Sequence, residues 1–246
     1  MINNQLMTGK YGVNGTCAVL DGYNVLISDE RFVLMREKVM WWPAKHLLMV
    51  ADIHFGKDAH LQRSGISVPA VADQEAFVKL TLILQRTKAT TLLILGDLFH
   101  ARPSGEEVSI RGWAQFCEQF PELEIVVVEG NHDRKGAVKQ LPLTWRNHYR
   151  IDQFLFMHEP LGKDGSSEDR LADDNSVFTF CGHLHPSYRL QNGRREWLRL
   201  PVFWLQPKIC VLPAFGMLTG GMDIHPAEGD KVAGVTPEGG FPLLGF

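Results

Sequence analysis

Cysteine is scarce in this chain of 246 residues: Cys17, Cys117, Cys181 and Cys210 stand far apart, with no CxxC pair. That spacing excludes a thiolate metal cluster and a disulfide scaffold, so all four are expected to be reduced and mostly buried. Long apolar runs are missing too. No window approaches the roughly 20 apolar residues of a membrane span, and the opening MINNQLMTGKYGVNG lacks the basic-then-apolar pattern of a secretory signal. The expectation is a cytoplasmic protein with no membrane partner. Charge of one sign is also lacking. A net charge of -3 argues against indiscriminate polyanion binding by the whole molecule, though it leaves local patches open.

What is present suits a sizeable core. With 45% hydrophobic and 22% charged residues the chain can fill one α/β domain, and no repeat, low-complexity segment or linker divides it, so residues 1–246 are expected to form a single domain. Apolar runs rich in β-branched or aromatic residues occur at 46–51, 90–95, 124–129, 153–157 and 177–181, and each stops at a polar cluster. Their even apolarity predicts interior strands covered on both faces. Between the first two runs, Phe77, Leu80 and Leu84 recur at helical spacing, with Val78 and Leu82 widening the stripe. Ser104-Gly-Glu-Glu107 matches a capping box for a second helix through Ile110, Trp113 and Phe116. Strand, helix, strand, helix, strand implies a mainly parallel sheet. Further on, Asn192-Gly193 between two strand-like runs signals a hairpin.

Charge is unevenly placed. RKGAVKQLPLTWRNHYR (134–150) has five cations and no acid. SYRLQNGRREWLR (187–199) has four arginines against Glu196, with Tyr188 and Trp197 interleaved. The acidic stretch 159–176 between them reads as an exposed loop. Ordinary solvated surface would account for any one of these alone.

The chemistry gathers at strand ends, which read Asp52-Ile-His54, Gly96-Asp97, Gly130-Asn131-His132-Asp133, His158 and Gly182-His183-Leu184-His185. In open α/β sheets ligands collect beyond the carboxyl ends of strands. Residues two apart on an extended chain project the same way, so Asp52 and His54 are expected to point together, as are His183 and His185. Carboxylates, imidazoles and an amide oxygen make a mixed O/N donor set suited to divalent ions such as Mn, Fe or Zn.

These blocks resemble the calcineurin-like metallophosphoesterase family, whose series runs DxH, GD, GNH[D/E], His, GHxH. The resemblance implies a four-layer αββα sandwich of two mixed sheets flanked by helices, and a phosphodiesterase with two divalent ions, Mn foremost, with Fe, Zn, Mg or Ni as alternatives. It implies one ion on Asp52, His54 and His185, the other on Asn131, His158 and His183, and Asp97 bridging them. In that scheme a metal-activated hydroxide attacks phosphorus, His132 acts as general acid, and Asp133 orients its ring. Lys57, Arg63, His100 and Arg102, which follow the first two motif loops, are candidates for holding substrate. HFGKDAHLQRSGISVP (54–69), GDLFHAR (96–102) and LPAFGMLTGG (212–221) further resemble the PdeM-type, ligase-associated DNA damage response endonuclease branch. That likeness implies a DNA nuclease with DNA ligase and exonuclease or helicase partners. A phosphoesterase for a small nucleotide or cyclic nucleotide, and a non-catalytic scaffold of the same fold, remain alternative readings.

Overall fold

The apolar runs that end in polar clusters are strands of two mixed sheets. The computed structural model describes residues 22–100, 108–133, 141–160, 176–191, 197–236 and 243–245. One sheet has seven strands in sequence order: β1 (Gly22–Ile27), β2 (Glu30–Met35), β3 (Val39–Trp42), β4 (Leu47–Val50), β5 (Thr91–Leu95), β6 (Glu124–Val128) and β7 (Thr144–Arg146). From β4 to β7 the neighbours are parallel, as expected. Strands β1 to β3, which the strand reading passed over, are antiparallel. Ser28 and Asp29 join β1 to β2 with φ of 49° and 66°, the paired positive φ of a two-residue hairpin turn.

The second sheet contains β8 (Tyr149–Ile151), β9 (Phe154–Phe156), β10 (Phe178–Cys181), β11 (Pro186–Gln191), β12 (Trp197–Leu205), β13 (Ile209–Val211), β14 (Met222–Asp223), β15 (Lys231–Gly234) and β16 (Leu243–Gly245). Its main order is β14-β11-β12-β13-β10-β9-β8, with β15 joining β12 to β16. The expected hairpin is β11 with β12, although Asn192-Gly193 itself lies outside the described residues.

Alternation decides the layers. Leu47, Met49, Leu93, Leu95, Val126 and Val128 face the second sheet and meet Phe154, Phe156, Phe180 and Phe203 in one core. Their neighbours Leu48, Val50, Leu92, Ile94, Ile125 and Val127 face a second core under helices α2 (Ala72–Thr87) and α3 (Val108–Gln119). A short helix α1 (Lys57–Arg63) precedes them. On α2 the expected stripe is wrong at its edges: Val78 and Leu82 are 53% and 59% exposed. The buried face is Ala76, Leu80, Ile83, Leu84 and Thr87, because at about 100° per residue positions 78 and 82 fall opposite 80 and 84. On α3, Trp113 and Phe116 are buried as expected. The capping box at 104–107, Arg102, Cys17 and most of the acidic stretch (161–175) fall outside the described residues. Cys117, Cys181 and Cys210 are free and buried.

Candidate metal centre

The carboxyl ends of β4, β5 and β6 in one sheet and of β9 and β10 in the other open on the same edge of the sandwich. Strand β4 stops at Val50, so Asp52 and His54 lie beyond it, and their common direction does not come from extended chain. Both are left-handed, with φ of 53° and 55°, as are Asp97 (50°), His183 (66°) and His185 (47°). Hydrogen bonds hold the turned backbone. Asp52 N donates to Gly96 O at 3.2 Å, His54 N to Asp97 O at 2.9 Å and Phe55 N to Leu98 O at 2.9 Å, so the loops after β4 and β5 stay zipped past their strands. Phe55 stacks on Phe77 of α2, with ring centroids 4.3 Å apart.

Asp97 is central. Its Oδ2 lies 3.6 Å from His54 Nε2 and its Oδ1 lies 3.5 Å from His158 Nε2. Around it, one ligand atom each from Asp52, His54 and His185 lie within 4.8 Å of one another, and so do those of Asp97, His158 and His183. The latter two imidazoles approach at 3.1 Å, Nδ1 of His183 to Nε2 of His158. Asn131 is exposed in the loop beyond β6, between Gly130, where an added Cβ would overlap the Asp97 carboxylate, and His132, whose N donates to Asp97 Oδ1 at 3.1 Å. Gly96 likewise has φ of 77° and no room for a Cβ, which would overlap the His158 ring.

The donor set fits a cation. His158 Nδ1 is 3.0 Å from Leu95 O, and His185 Nδ1 is 3.2 Å from Thr219 O. A ring nitrogen facing a carbonyl is the donor, so each Nε2 carries a lone pair. These lone pairs face carboxylate oxygens, Asp97 Oδ1 for His158 and Asp52 Oδ1, 3.4 Å away, for His185. Asp52 Oδ2 accepts from His183 N at 2.9 Å, whereas Oδ1 is buried and accepts no hydrogen bond. Lone pair against lone pair is repulsive unless a proton or a metal ion lies between. Burial works to lower the pKa of His185, and the Asp52 carboxylate outweighs it, so the net shift is upward. Burial, then the nearby Lys57 amine, pushes the pKa of His54 down to about 2 and keeps its imidazole neutral. Burial raises Asp97.

His132 differs from these in being exposed, 41% of its side chain, with Nε2 3.9 Å from Asp97 Oδ2. His100 stacks against it at 5.2 Å and 27°, and His54, His100 and His132 form a third potential ligand group. His60, which matched no motif, extends this row, its ring 4.8 Å from His100. Asp133 does not meet the expectation of a bond to the His132 ring. Its buried carboxylate accepts from Gly130 N (3.1 Å), Leu98 N (3.3 Å) and Phe99 N (3.3 Å). It therefore clamps the loops after β5 and β6 through their backbones. Burial pushes its pKa up to about 6 against those bonds.

Lys57 lines a shallow, narrow cleft with His54, Asp73, Gly216 and Thr219. Burial lowers its pKa, opposed by Asp97 and Asp52. Arg63 lies at the far end of α1, exposed, about 9 Å along the axis from Lys57. The segment LPAFGMLTGG borders the site. Phe215 N donates to Ala51 O (2.8 Å) and Gly216 N to Asp52 O (3.2 Å), before Thr219 reaches His185. The carbonyls of Leu95 and Thr219 carry no side-chain signal and escaped the sequence reading. So did Lys38, whose Nζ donates to Gly216 O at 3.2 Å across 178 residues of chain.

The profile of the calcineurin-like phosphoesterases matches residues 45–209. Among solved structures, the Pseudomonas putida nuclease MPE superposes with a TM-score of 0.74 at 25% identity, covering 90% of this chain and all of that one. Yfce, a phosphoesterase from E. coli, is a more distant likeness, with 17% identity, a TM-score of 0.42, and coverage of 80% of this chain and 97% of that chain. No curated protein matches the chain.

Proposed function

From the premise that this chain belongs to the calcineurin-like phosphoesterase family, we propose that it is a nuclease which hydrolyses phosphodiester bonds in DNA. The observation that carries this reading is the likeness to nuclease MPE over that protein's whole length. Family membership makes the chain a metal-dependent phosphoesterase; the polynucleotide substrate is the further step. The resemblance to the PdeM-type, ligase-associated branch, with its DNA repair role and its DNA ligase and exonuclease or helicase partners, points the same way. It gains support from LPAFGMLTGG bordering Asp52 and His185.

In this reading Asp52, His54 and His185 hold one divalent ion, Asn131, His158 and His183 the other, and Asp97 reaches both. When bound, such a pair supplies positive charge for the phosphate and lowers the pKa of a water. The chain's own residues do the rest. Leu95 and Thr219 fix the rings of His158 and His185 through their Nδ1 atoms. Lys57 stands at the cleft to meet a substrate phosphate. His132 is exposed and braced by His100, so its imidazole N–H can pass a proton to the departing oxygen, the role of a general acid. Asp133 keeps that loop in place through Gly130.

Supercoiled plasmid tests the proposal. The purified protein should nick it with Mn and not with EDTA, and His132→Ala should lose the activity. Hydrolysis of small diesters with intact plasmid would overturn the nuclease reading in favour of a small nucleotide substrate.

A further inference from the structure

The β11–β12 hairpin turns one face to solvent beside the site. In its register Arg189 lies opposite Arg199, and Gln191 opposite Trp197. Tyr188, Leu190 and Leu200 take the other face, against Val202 and Val232. Like charges directly opposed across two strands are destabilising. Here Asp223 of β14 holds both, with Arg189 Nε 2.6 Å from its Oδ2 and Arg199 Nε 2.5 Å from its Oδ1. Arg199 also donates to Gly221 O. Pinning the hairpin to β14 would need one arginine. The second leaves the cluster with a net positive charge, and the two side chains remain 59% and 42% exposed. An anchored guanidinium has already lost much of the freedom that binding would otherwise remove.

Trp197 is the second observation. It is two residues from Arg199 on the same face and 61% exposed, whereas every other Trp or Phe among the described residues is buried or partly buried. A bare indole ring, two fixed guanidiniums and the Gln191 amide are what an unpaired base and its flanking phosphates call for. The face is continuous with the metal centre. Met222 N donates to His185 O at 2.9 Å, and Ser187 pairs with Asp223, so Arg189 stands about 13 Å along the strand from His185.

We propose that this face binds single-stranded nucleic acid flanking the scissile bond, with Trp197 stacked on a base and Arg189 and Arg199 on backbone phosphates. The proposal rests on the polynucleotide reading above. Its test uses the Mn-loaded protein in a His132→Ala background, so that the strand is not cut, and the anisotropy of a labelled oligodeoxythymidine. Trp197→Ala should weaken binding about tenfold and Trp197→Phe should restore most of it. Arg189→Gln with Arg199→Gln should flatten the slope of log K against log salt by about 0.7 per arginine. With His132 intact, the same variants should raise KM for the oligonucleotide at constant kcat and leave bis-p-nitrophenyl phosphate hydrolysis unchanged. Unaltered affinity and salt slope, in variants of a protein that binds the strand, would overturn the surface. Loss of the small-diester activity by every variant would do so too, by placing these residues in the fold. A wild type that neither binds the strand nor nicks plasmid would instead bring down the nuclease reading.

Discussion

Lys38→Met should make the protein more stable at neutral pH and erase part of its pH dependence. Lys38 occupies the turn between β2 and β3, and burial, with the neighbouring Lys79 adding to it, pushes its pKa from 10.5 down to about 7. The unfolded chain keeps the proton up to about pH 10.5 and the folded chain only to about pH 7. Between these values the unfolded state binds more protons, so stability rises with pH. The favourable contribution is complete above pH 10.5 and is lost as pH falls to about 7. A drop of that size corresponds to at most about 5 kcal/mol. Methionine fills the stem without a charge and forfeits the bond to Gly216 O, which is worth about 1 kcal/mol. The variant should therefore gain about 2–4 kcal/mol on wild type at pH 7 and fall slightly below it at pH 10. Urea melts of both proteins at pH 7, 8, 9 and 10 measure the difference, since titrations they share cancel. A difference that stays constant from pH 7 to 10 would refute the reasoning, because a lysine that keeps its proton in the fold cannot produce the slope.

His132→Ala should cost roughly 10²–10³-fold in kcat on DNA and much less on bis-p-nitrophenyl phosphate, whose nitrophenolate leaves without a proton; equal losses on the two substrates would remove the general-acid role. Saturating Mn, at about 100 times its Kd, should stabilise the wild type by about 2.7 kcal/mol. That should appear in calorimetry as a Tm rise of roughly 5–10 °C. Asp97→Asn should lose most of the rise, since the carboxylate whose two oxygens face His54 and His158 is gone, and a full rise in the variant would contradict the central place of Asp97. Gly96→Ala combines a positive φ with overlap on the His158 ring and should destabilise by about 3 kcal/mol. An unchanged urea midpoint would mean that the loop after β5 is looser than described.

The five apolar runs could be read as interior strands because both faces of each are buried and the period-2 pattern is filled at every position. The antiparallel β1–β3 could not be found the same way, since Ser28-Asp29 is a turn without the Asn-Gly signature. The candidate ligands stood out in the sequence because few residue types bind divalent ions and five ordered blocks carry them. The way they converge was not. Strand alternation suggested an extended Asp52-Ile-His54, whereas the backbone turns left-handed at both residues. Asp133 reads in sequence as a partner for the next ring, yet three backbone amides take its oxygens. Lys38 was invisible for another reason: a lone cation in a turn says nothing about a carbonyl 178 residues away.

The left-handed backbone at Asp52, His54, Asp97, His183 and His185 sets the working groups of this protein against its own durability. Each such residue costs on the order of 1 kcal/mol relative to glycine at the same place, and the strain persists only because the surrounding loops over-determine it. Drift that preserved only a folded chain would relax these positions first, so the candidate metal centre is the part of the molecule that selection for a function there would have to maintain continually.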